Sequence, residues 1–441
     1  MSLPTTTPAI TFDDAGFQKL LEVRSDEPDW IQSLRKEAWE KFQQMAWPTR
    51  RDEEWMRTDI RLFQLNKFGF NAESADVSTT LPEAKLGIDV DLAGKTASLD
   101  GRSMVSQLED AEREQGIFLG NLSEALQSIP DLIKPHLFHS AFDCTVDRFA
   151  ALHQAMFSGG TVLYVPRNVS LNRPVHIQNV LTNGGTDLSH TLIILEEGAS
   201  ATVLLERSCT EADGEGLHVG AMEIIVGDRA NLSFVSLQDW SSRTWHFAHQ
   251  KATVGQDANL QWTIGALGGR LAKVNQHVEL CGEGAQCQVN GTMFTQDKQH
   301  LSYHTLQHHR APNTRSDFLY KSALQDQSHT VWRGMIKVDK VAQKTDGYQR
   351  NDNLLLSNQS RADSIPGLEI EADDVRCTHG STSGRVDEEQ IFYCLSRGFT
   401  RQEAIRAIVT GFFQQIFDRI ELESVRDALG HAIARRVRKY D

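Results

Sequence analysis

The chain has 441 residues, of which 40% are hydrophobic, and its 45 Lys and Arg against 59 Asp and Glu give a formal net charge of −14. A chain of this length can bury one large core or a few ordinary ones, so the composition predicts a globular protein with distinct segments. The negative charge repels phosphate backbones and anionic lipid, which argues against nucleic-acid or membrane binding as the main function. We expect partners that are proteins or small molecules.

The N-terminal stretch MSLPTTTPAITFDDAG has no basic segment followed by an apolar one, and no later run approaches the roughly 18 apolar residues of a membrane span. We therefore expect a cytoplasmic protein. The six cysteines are scattered without a disulfide-like framework, so most are expected to be reduced thiols. No C-x-x-C occurs, and the chain alone therefore predicts neither a zinc ribbon nor a ferredoxin-type cluster site.

Residues 1–70 are predicted to be an N-terminal helical region. Between residues 10 and 68, apolar side chains recur at steps of three and four residues, as on one face of a helix. They include Phe17, Leu20, Leu21, Ile31, Leu34, Trp39 and Phe42. Pro48 should end one helix, and Asp52, Glu53 and Glu54 suit the first turn of another, where the helix dipole favours negative charge.

Residues 71–149 are predicted to be a linker and a small mixed α/β region, because Ala, Ser, Thr and Asp are interspersed with short β-like pieces. Gly94-Lys95-Thr96 resembles the end of a phosphate-binding loop. Such a loop needs a glycine five positions before Gly94, where Asp89 stands. We therefore expect a turn here, and no ATP site in this chain.

Residues 150–385 contain a repeat. Glycines recur about 28 residues apart, and each is followed by a small residue and then a strand-like run. The pairs are Gly198 and Ala199, Gly227 and Ala230, Gly255 and Ala258, and Gly282 and Ala285. The cleanest strand, 285–293, alternates apolar residues with Gln286, Gln288, Asn290 and Thr292. Rows of amides and threonines suit parallel strands stacked about 4.8 Å apart, so this segment is predicted to be a parallel β-helix in a mainly β chain.

A β-sandwich is the alternative, since it also gives many short strands separated by turns. Hairpin-type Asn-Gly pairs occur at Asn183-Gly184 and Asn290-Gly291. The second pair lies inside the cleanest alternating strand, and the β-helix is therefore preferred.

Residues 386–441 return to a helical pattern and are predicted to form two or three helices ending in a basic tail. Thr400 and Glu403 have the spacing of a capping box. One apolar face follows from residues at helical spacing, namely Ile405, Ile408, Phe412, Ile416 and Ile420.

Four histidines, His300, His304, His308 and His309, lie in one short segment. In a strand the first three share a face, but the local run offers no acidic or thiol partner, so polar surface or cleft lining is preferred over metal binding. Cys287 lies on the apolar side of its strand and is predicted to be an inert buried thiol.

Cys377 and His379 form a different kind of pair, in the stretch DDVRCTHG. In a strand both side chains point to the same side, close enough to contact one metal ion. Zinc or an iron-sulfur cluster needs about four ligands, so this pair is incomplete. It is either a structural feature of a strand end or half of a site completed elsewhere in this chain or by another subunit.

The chain resembles the SufB/SufD family of the SUF iron-sulfur cluster assembly machinery. The segment Ile365 to Ile405, IPGLEIEADDVRCTHGSTSGRVDEEQIFYCLSRGFTRQEAI, looks like the C-terminal signature of that family. Similar stretches are WPTRRDEEWMRTDI, DRFAALHQAMFSGGTVLYVPRNVSLNRPVHI and HRAPNTRSDFLYKSAL. SufB-type members carry a glutamate- and histidine-containing segment where this chain has DDVRCTHG, which favours the SufD branch; a SufB-type paralogue is the alternative.

The resemblance implies a right-handed parallel β-helix with helical regions at both ends. It implies a non-catalytic scaffold subunit that pairs edge to edge with a SufB-type paralogue and binds a SufC ATPase through its C-terminal region, with a homodimer possible when the chain is alone. ATP hydrolysis would belong to SufC. A transient iron-sulfur cluster or iron would be shared with SufB.

Residue by residue, the resemblance assigns Cys377 and His379 to the cluster-assembly site. It places Arg397, Gly398 and Phe399, with Gly411, Phe412 and Phe413, in or near the SufC-docking region.

A β-helical carbohydrate-active protein is the rival class. It would need two carboxylates close together on one face. Asp373 and Asp374 are adjacent, and in a strand they would point to opposite faces, which argues against such a pair.

Overall fold

The computed structural model describes residues 10–71, 80–139 and 142–437. The helices in these ranges are α1 (Asp14–Val23), α2 (Asp29–Gln44), α3 (Asp110–Glu114), α4 (Leu122–Ser128), α5 (Pro130–Ile133), α6 (Arg148–Met156), α7 (Glu388–Ser396), α8 (Arg401–Phe417) and α9 (Glu423–Ala434). The strands are β1 (Gly94–Leu99), β2 (Arg102–Leu108), β3 (Phe118–Asn121), β4 (Gly159–Val165), β5 (Val175–Leu181), β6 (Gly185–Asp187), β7 (Ser189–Leu195), β8 (Ser200–Cys209), β9 (Glu215–Val226), β10 (Asn231–Asp239), β11 (Arg243–Val254), β12 (Asn259–Ala266), β13 (Leu271–Leu280), β14 (Gln286–Thr295), β15 (His300–His309), β16 (Arg315–Leu324), β17 (His329–Val338), β18 (Thr345–Leu355), β19 (Arg361–Ile370) and β20 (Val375–Arg385).

The strands form a parallel β-helix of about eight turns, which confirms the predicted fold. From β8 onward successive strands alternate between two sheets, and β8 to β18 each pair in parallel with the strands one turn before and after them. The first sheet has the order β2-β1-β5-β8-β10-β12-β14-β16-β18-β20, and the second has the order β19-β17-β15-β13-β11-β9-β7-β4-β3. The predicted alternative, a β-sandwich, is therefore excluded.

The repeated glycines mark the turns between the two sheets. Gly227, Gly255 and Gly282 each donate a backbone hydrogen bond to the rung before, of 2.8, 2.8 and 3.3 Å. A Cβ at Gly282 would lie 2.0 Å from the Gln256 nitrogen, so the chain comes too close here for any side chain. The small residues that follow, such as Ala285, are fully buried. The spacing in the sequence is thus the length of one turn.

Side chains alternate between the interior of the β-helix and its outer faces. The interior is filled by large buried rings, among them Phe234, Trp262, Phe318, Tyr320 and Trp332. The predicted amide row exists on the outer face of the first sheet, where Asn231, Asn259 and Gln286 occupy successive rungs.

The N-terminal end of the β-helix is closed by strands that reverse direction. β1 pairs in parallel with β5, while β2 and β3 pair antiparallel with β1 and β4. Gly94-Lys95-Thr96 begins β1, so the expectation of a turn at this tripeptide is wrong. Its backbone groups are used by the sheet, since Gly94 lies opposite Val175 in β5.

The N-terminal region is helical only as far as Gln44. As predicted, α2 ends before Pro48. The helix that was expected to begin at Asp52, Glu53 and Glu54 is only a short 3-10 helix, Glu53–Trp55. Beyond Gln44 the chain is otherwise largely irregular as far as residue 71. Aromatic side chains of this part contact rings on α6 and on the outer face of the second sheet; they do not form one helical stripe, which explains the shorter helices.

Three C-terminal helices pack against the outer face of the first sheet, within the predicted range. The capping box of α8 is confirmed, because Thr400 and Glu403 exchange side-chain and backbone hydrogen bonds. Ile405, Ile416 and Ile420 are buried on the predicted apolar face. Most of the predicted basic tail, residues 438–441, lies outside the described residues.

Among the residues that the structure describes, no helix is long and apolar enough to cross a membrane.

Candidate functional site at the open end of the β-helix

The C-terminal end of the β-helix has no covering element among the described residues. Of the strands in the described ranges, β19 pairs only with β17 and β20 only with β18, so both have a free edge there. Leu368 and Ile370 lie in β19 and are 37% and 40% exposed. An edge strand with apolar side chains is a surface that favours pairing with another chain.

Cys377 lies in β20 and faces the interior of the last turn. It pairs with Gly347 of β18 and packs, half-buried, beside a small apolar cluster that includes Ile336 and Val338. Burial raises the pKa of the Cys377 thiol, which is therefore a protonated thiol near neutral pH. A bound metal ion would displace this proton.

A space beneath Cys377 exists because residue 347 is glycine. A Cβ at Gly347 would lie 3.3 Å from Cys377 Sγ and 3.5 Å from His309 Nε2. The His309 imidazole is fully buried, with Nδ1 2.8 Å from Thr314 Oγ1 and Nε2 2.9 Å from Ser316 Oγ. His309 thus stands behind Cys377 in the interior, although it comes from the opposite sheet.

His379 lies two residues further along β20, on the same side of the strand and exposed to solvent. It pairs with Gln349 of β18, which is fully buried. The Gln349 amide nitrogen donates to the Gly367 carbonyl at 3.0 Å, and its Oε1 has no hydrogen-bond partner among the described residues. The sequence predicts that the side chains of Cys377 and His379 point to the same side of one strand, and the structure confirms this.

The pair does not form a complete metal site within this chain. In the part of the chain that the structure describes, no group of three or more His, Cys, Asp or Glu side chains is placed to hold a metal ion. Because an iron or zinc centre needs about four ligands, any centre at Cys377 and His379 needs ligands from outside the described chain.

The other three histidines of the predicted cluster point away from this interior site. His300, His304 and His308 lie on the outer face of β15, as the strand interpretation predicts, but each has its own partner. His304 contacts Glu54 at 2.5 Å, and His308 contacts Asp339 at 2.8 Å. They line clefts and polar surface and do not converge on one point.

The six cysteines, all within the described residues, are free thiols. Cys287 is 4% exposed, and burial raises its pKa strongly, which fits the predicted inert thiol. It occupies the interior column of Ser316, Gly347 and Cys377, three strand steps from Cys377.

The residues predicted to dock SufC fall into two groups. Arg397, Gly398 and Phe399 form the exposed turn between α7 and α8, where Gly398 has a φ of +92°. Phe412 is half-buried, with its ring 4.9 Å from Lys321 Nζ, and Phe413 is fully buried. Gly411 lies on the exposed side of α8, with open space around it.

An exposed apolar patch adjoins the α7–α8 turn, and the sequence prediction missed most of it. Phe392, Tyr393, Leu395 and Phe399 are 72%, 59%, 41% and 47% exposed. We call these four residues the α7 patch. The signal in the sequence was the run IFYCL, whose five apolar residues cover all sides of a helix. Such a helix cannot bury every one of them against a single neighbour, and α7 buries only Ile391. Large exposed apolar groups of this kind mark interaction surfaces.

Comparison with known proteins identifies the family. Residues 17–177 match the model of the SufBD protein N-terminal region, and residues 177–412 match the SufBD core domain of the SUF system for FeS cluster assembly. The core match covers more than half of the 441 residues. The chain belongs to the SufBD family.

Relatives support this assignment over most of the chain. An iron-sulfur cluster assembly SufBD family protein of Mycobacterium tuberculosis (strain ATCC 25618 / H37Rv) is 35% identical over 296 residues, covering 65% of this chain and 73% of the relative. A SufBD family protein of Staphylococcus aureus (strain MRSA252) is 28% identical over 412 residues, covering 90% and 87%. These matches support iron-sulfur cluster assembly and give no support to the carbohydrate alternative.

Proposed function

We propose that this chain is a SufD-type scaffold subunit of a complex that assembles nascent iron-sulfur clusters, and that it is not itself catalytic. The observation that carries the proposal is Cys377 and His379 on the free edge strand of an open β-helix. The Cys-x-His sequence, in place of the glutamate- and histidine-containing segment of SufB-type members, supports the SufD branch over the SufB branch.

The partner at the open end is a SufB-type paralogue. Its own β-helix would extend one or both sheets through β19 and β20 and cover Leu368 and Ile370, which are partly exposed here. It would also bring the ligands that Cys377 and His379 lack. The cluster or its iron is the cargo of this shared site, and a set of ligands divided between two chains suits a site that must release its product.

The second partner is a SufC ATPase. The α7 patch and the neighbouring Arg397 and Gly398 support docking in the C-terminal region, since α7 leaves its apolar residues uncovered. ATP hydrolysis belongs to SufC, because this chain has Asp89 where a phosphate-binding loop needs glycine. Movement of the SufC subunits would pass through α7 and α8 to the β-helix pair and open the shared site. A cytoplasmic location is part of this proposal.

Separate replacement of the two candidate ligands tests the proposal. Cys377→Ser and His379→Ala are each co-produced with a SufB-type paralogue and SufC, and complex assembly and cluster formation are measured. We expect the complex to form and cluster formation to fall at least about tenfold in each variant, because one ligand of the shared site is lost.

Thr378→Ala is the matched control, since Thr378 lies between the two residues and points to the other side of β20. It should leave cluster formation unchanged. Undiminished cluster formation in both Cys377→Ser and His379→Ala would refute the ligand role. Recovery of the chain only as a homodimer when both partners are present would refute the proposed complex.

A further inference from the structure

A cleft of about 420 Å³ lies on the outer face of the second sheet, beneath the turn Glu53–Trp55. It is separate from the interior site, because its floor is built from outward-facing side chains of β13, β15 and β17. Much of its wall is apolar, formed by Trp55, Val146, Leu306 and Met335. The proposed scaffold function uses none of these residues.

Lys273 lines this cleft and is only 3% exposed. Its Nζ lies 5.6 Å from the centre of the Trp55 ring and donates one hydrogen bond, of 2.8 Å, to Asn275 Oδ1. Within the described residues Lys273 forms no ion pair. Burial lowers the pKa of Lys273 to about 7, against the opposing influence of Glu54 and Asp147. A buried ammonium with a single neutral partner is costly, and it favours the arrival of an anion.

Asn275 is itself held by a chain of hydrogen bonds that ends in a carboxylate. Its Nδ2 lies 3.3 Å from His249 Nδ1, and His249 Nε2 lies 3.2 Å from Asp147 Oδ1. When His249 carries its proton on Nε2, every donor in this series of hydrogen bonds, from Lys273 to Asp147, faces an acceptor. The ammonium is thereby fixed in position before any ligand binds, as a built binding site requires.

The carboxylates around the cleft are already committed to other groups. Glu54 contacts His304 at 2.5 Å and Arg333 at 2.8 Å. Asp147 accepts two backbone hydrogen bonds at the start of α6, and Glu369 pairs with Lys337 at 2.7 Å. The ammonium of Lys273 therefore has hydrogen-bonding capacity left over, since an ammonium carries three donors.

We propose that this cleft binds a small organic carboxylate with an apolar body, whose oxygens accept hydrogen bonds from Lys273. The apolar walls favour an organic anion over inorganic phosphate, because they offer the ligand body burial and no further hydrogen bonds. The Trp55 ring lies over the bound ligand, so binding also fixes the turn Glu53–Trp55 against the sheet.

Benzoate is the probe, because it combines a carboxylate with a flat apolar body that fits the cleft. Binding to the full chain is measured by calorimetry and by the fluorescence of the tryptophans, of which Trp55 lines the cleft. We expect binding of benzoate and at least about tenfold weaker binding of benzamide, which has the same shape and no charge.

Lys273→Met tests the contact, since methionine fills a similar volume without the charge, and it should weaken benzoate binding at least about tenfold. Lys340→Met is the control, because Lys340 is exposed and does not line the cleft. It should leave binding nearly unchanged. Equal binding of benzoate and benzamide, or no detectable benzoate binding by the unaltered chain, would overturn the proposal, and neither outcome depends on a variant that folds.

Discussion

Single residues decide what the open end of the β-helix can do. Cys377 and His379 follow the alternation of β20, which the sequence predicted, but the space beneath the thiol depends on Gly347 one turn earlier. His309 reaches the same space from the opposite sheet. His309 and Gly347 are 38 positions apart in the sequence, and only the register of the turns brings them together.

A partly buried histidine links a single residue to the stability of the whole chain. His300 lies with Nε2 3.1 Å from Thr58 Oγ1 and Nδ1 3.0 Å from His329 Nδ1. Burial, and then the neighbouring His329, lowers the pKa of His300 to about 3. Below about pH 6.5, therefore, the His300 imidazole is protonated in the unfolded chain but stays neutral in the folded chain.

We expect His300 to make the free energy of unfolding fall as the pH drops from about 6.5 toward about 3, by at most about 1.4 kcal/mol per pH unit. His300→Gln should reduce the loss of stability between about pH 7 and about pH 5, measured by chemical denaturation. His139→Gln, at an exposed histidine, is the control and should keep the loss of the unaltered chain. Equal losses in all three proteins would contradict this explanation.

At the scale of elements, α7 and α8 are adjacent in sequence but have different surroundings. α8 buries Ile405 of its predicted apolar face, together with Val409 and Phe413, against the first sheet and α9. α7 buries Ile391 alone and leaves the α7 patch exposed. The helical pattern of the sequence was the same in kind for both helices. The structure separates a helix that holds the fold together from one that offers a surface.

Phe392→Glu tests whether the α7 patch docks SufC. Phe392 is 72% exposed, so the change should cost the isolated chain little stability, while a buried charge at the interface should weaken retention of SufC at least about tenfold. Leu62→Glu is the control, because Leu62 is also 72% exposed and lies in the N-terminal region. Equal retention of SufC by the two variants would exclude the α7 patch as the docking surface.

At the scale of the whole molecule, the two ends of the β-helix differ. Each sheet ends in a strand with one neighbour, but β2 and β3 run antiparallel to that neighbour, whereas β19 and β20 continue the parallel stack. A solenoid buries its core only where a neighbouring turn covers it, so the last turn leaves Leu368 and Ile370 partly exposed. This asymmetry favours assembly at one end only.

Ile370→Lys should therefore block pairing with a SufB-type paralogue without unfolding the chain. Ile370 is 40% exposed here but would be covered in the complex, where an unpaired ammonium is costly. Size-exclusion chromatography of the co-produced pair measures the effect, and Ile88→Lys, at a residue 43% exposed in the N-terminal half, is the control. A complex that forms equally well with both variants would refute pairing through the open end.

The repeat, the alternation of the strands and the capping box of α8 are predictable from the sequence, because each depends on residues close together in the chain or on a fixed period. The sequence also carried the family signature and the pair Cys377 and His379. It did not predict that residues 94–96 form a strand, since that depends on pairing with β5, about 80 residues away.

Which side chains of distant segments contact one another, and which polar groups share a cleft, became known from the folded structure. It brought His309 behind Cys377 and set Lys273 beneath Trp55, because stacking of turns and packing of the N-terminal region join residues that no local pattern connects. It also decided that the last turn is open. Whether a terminal strand is covered depends on which other segments of the folded chain pack against it, and this is a property of the molecule as a whole.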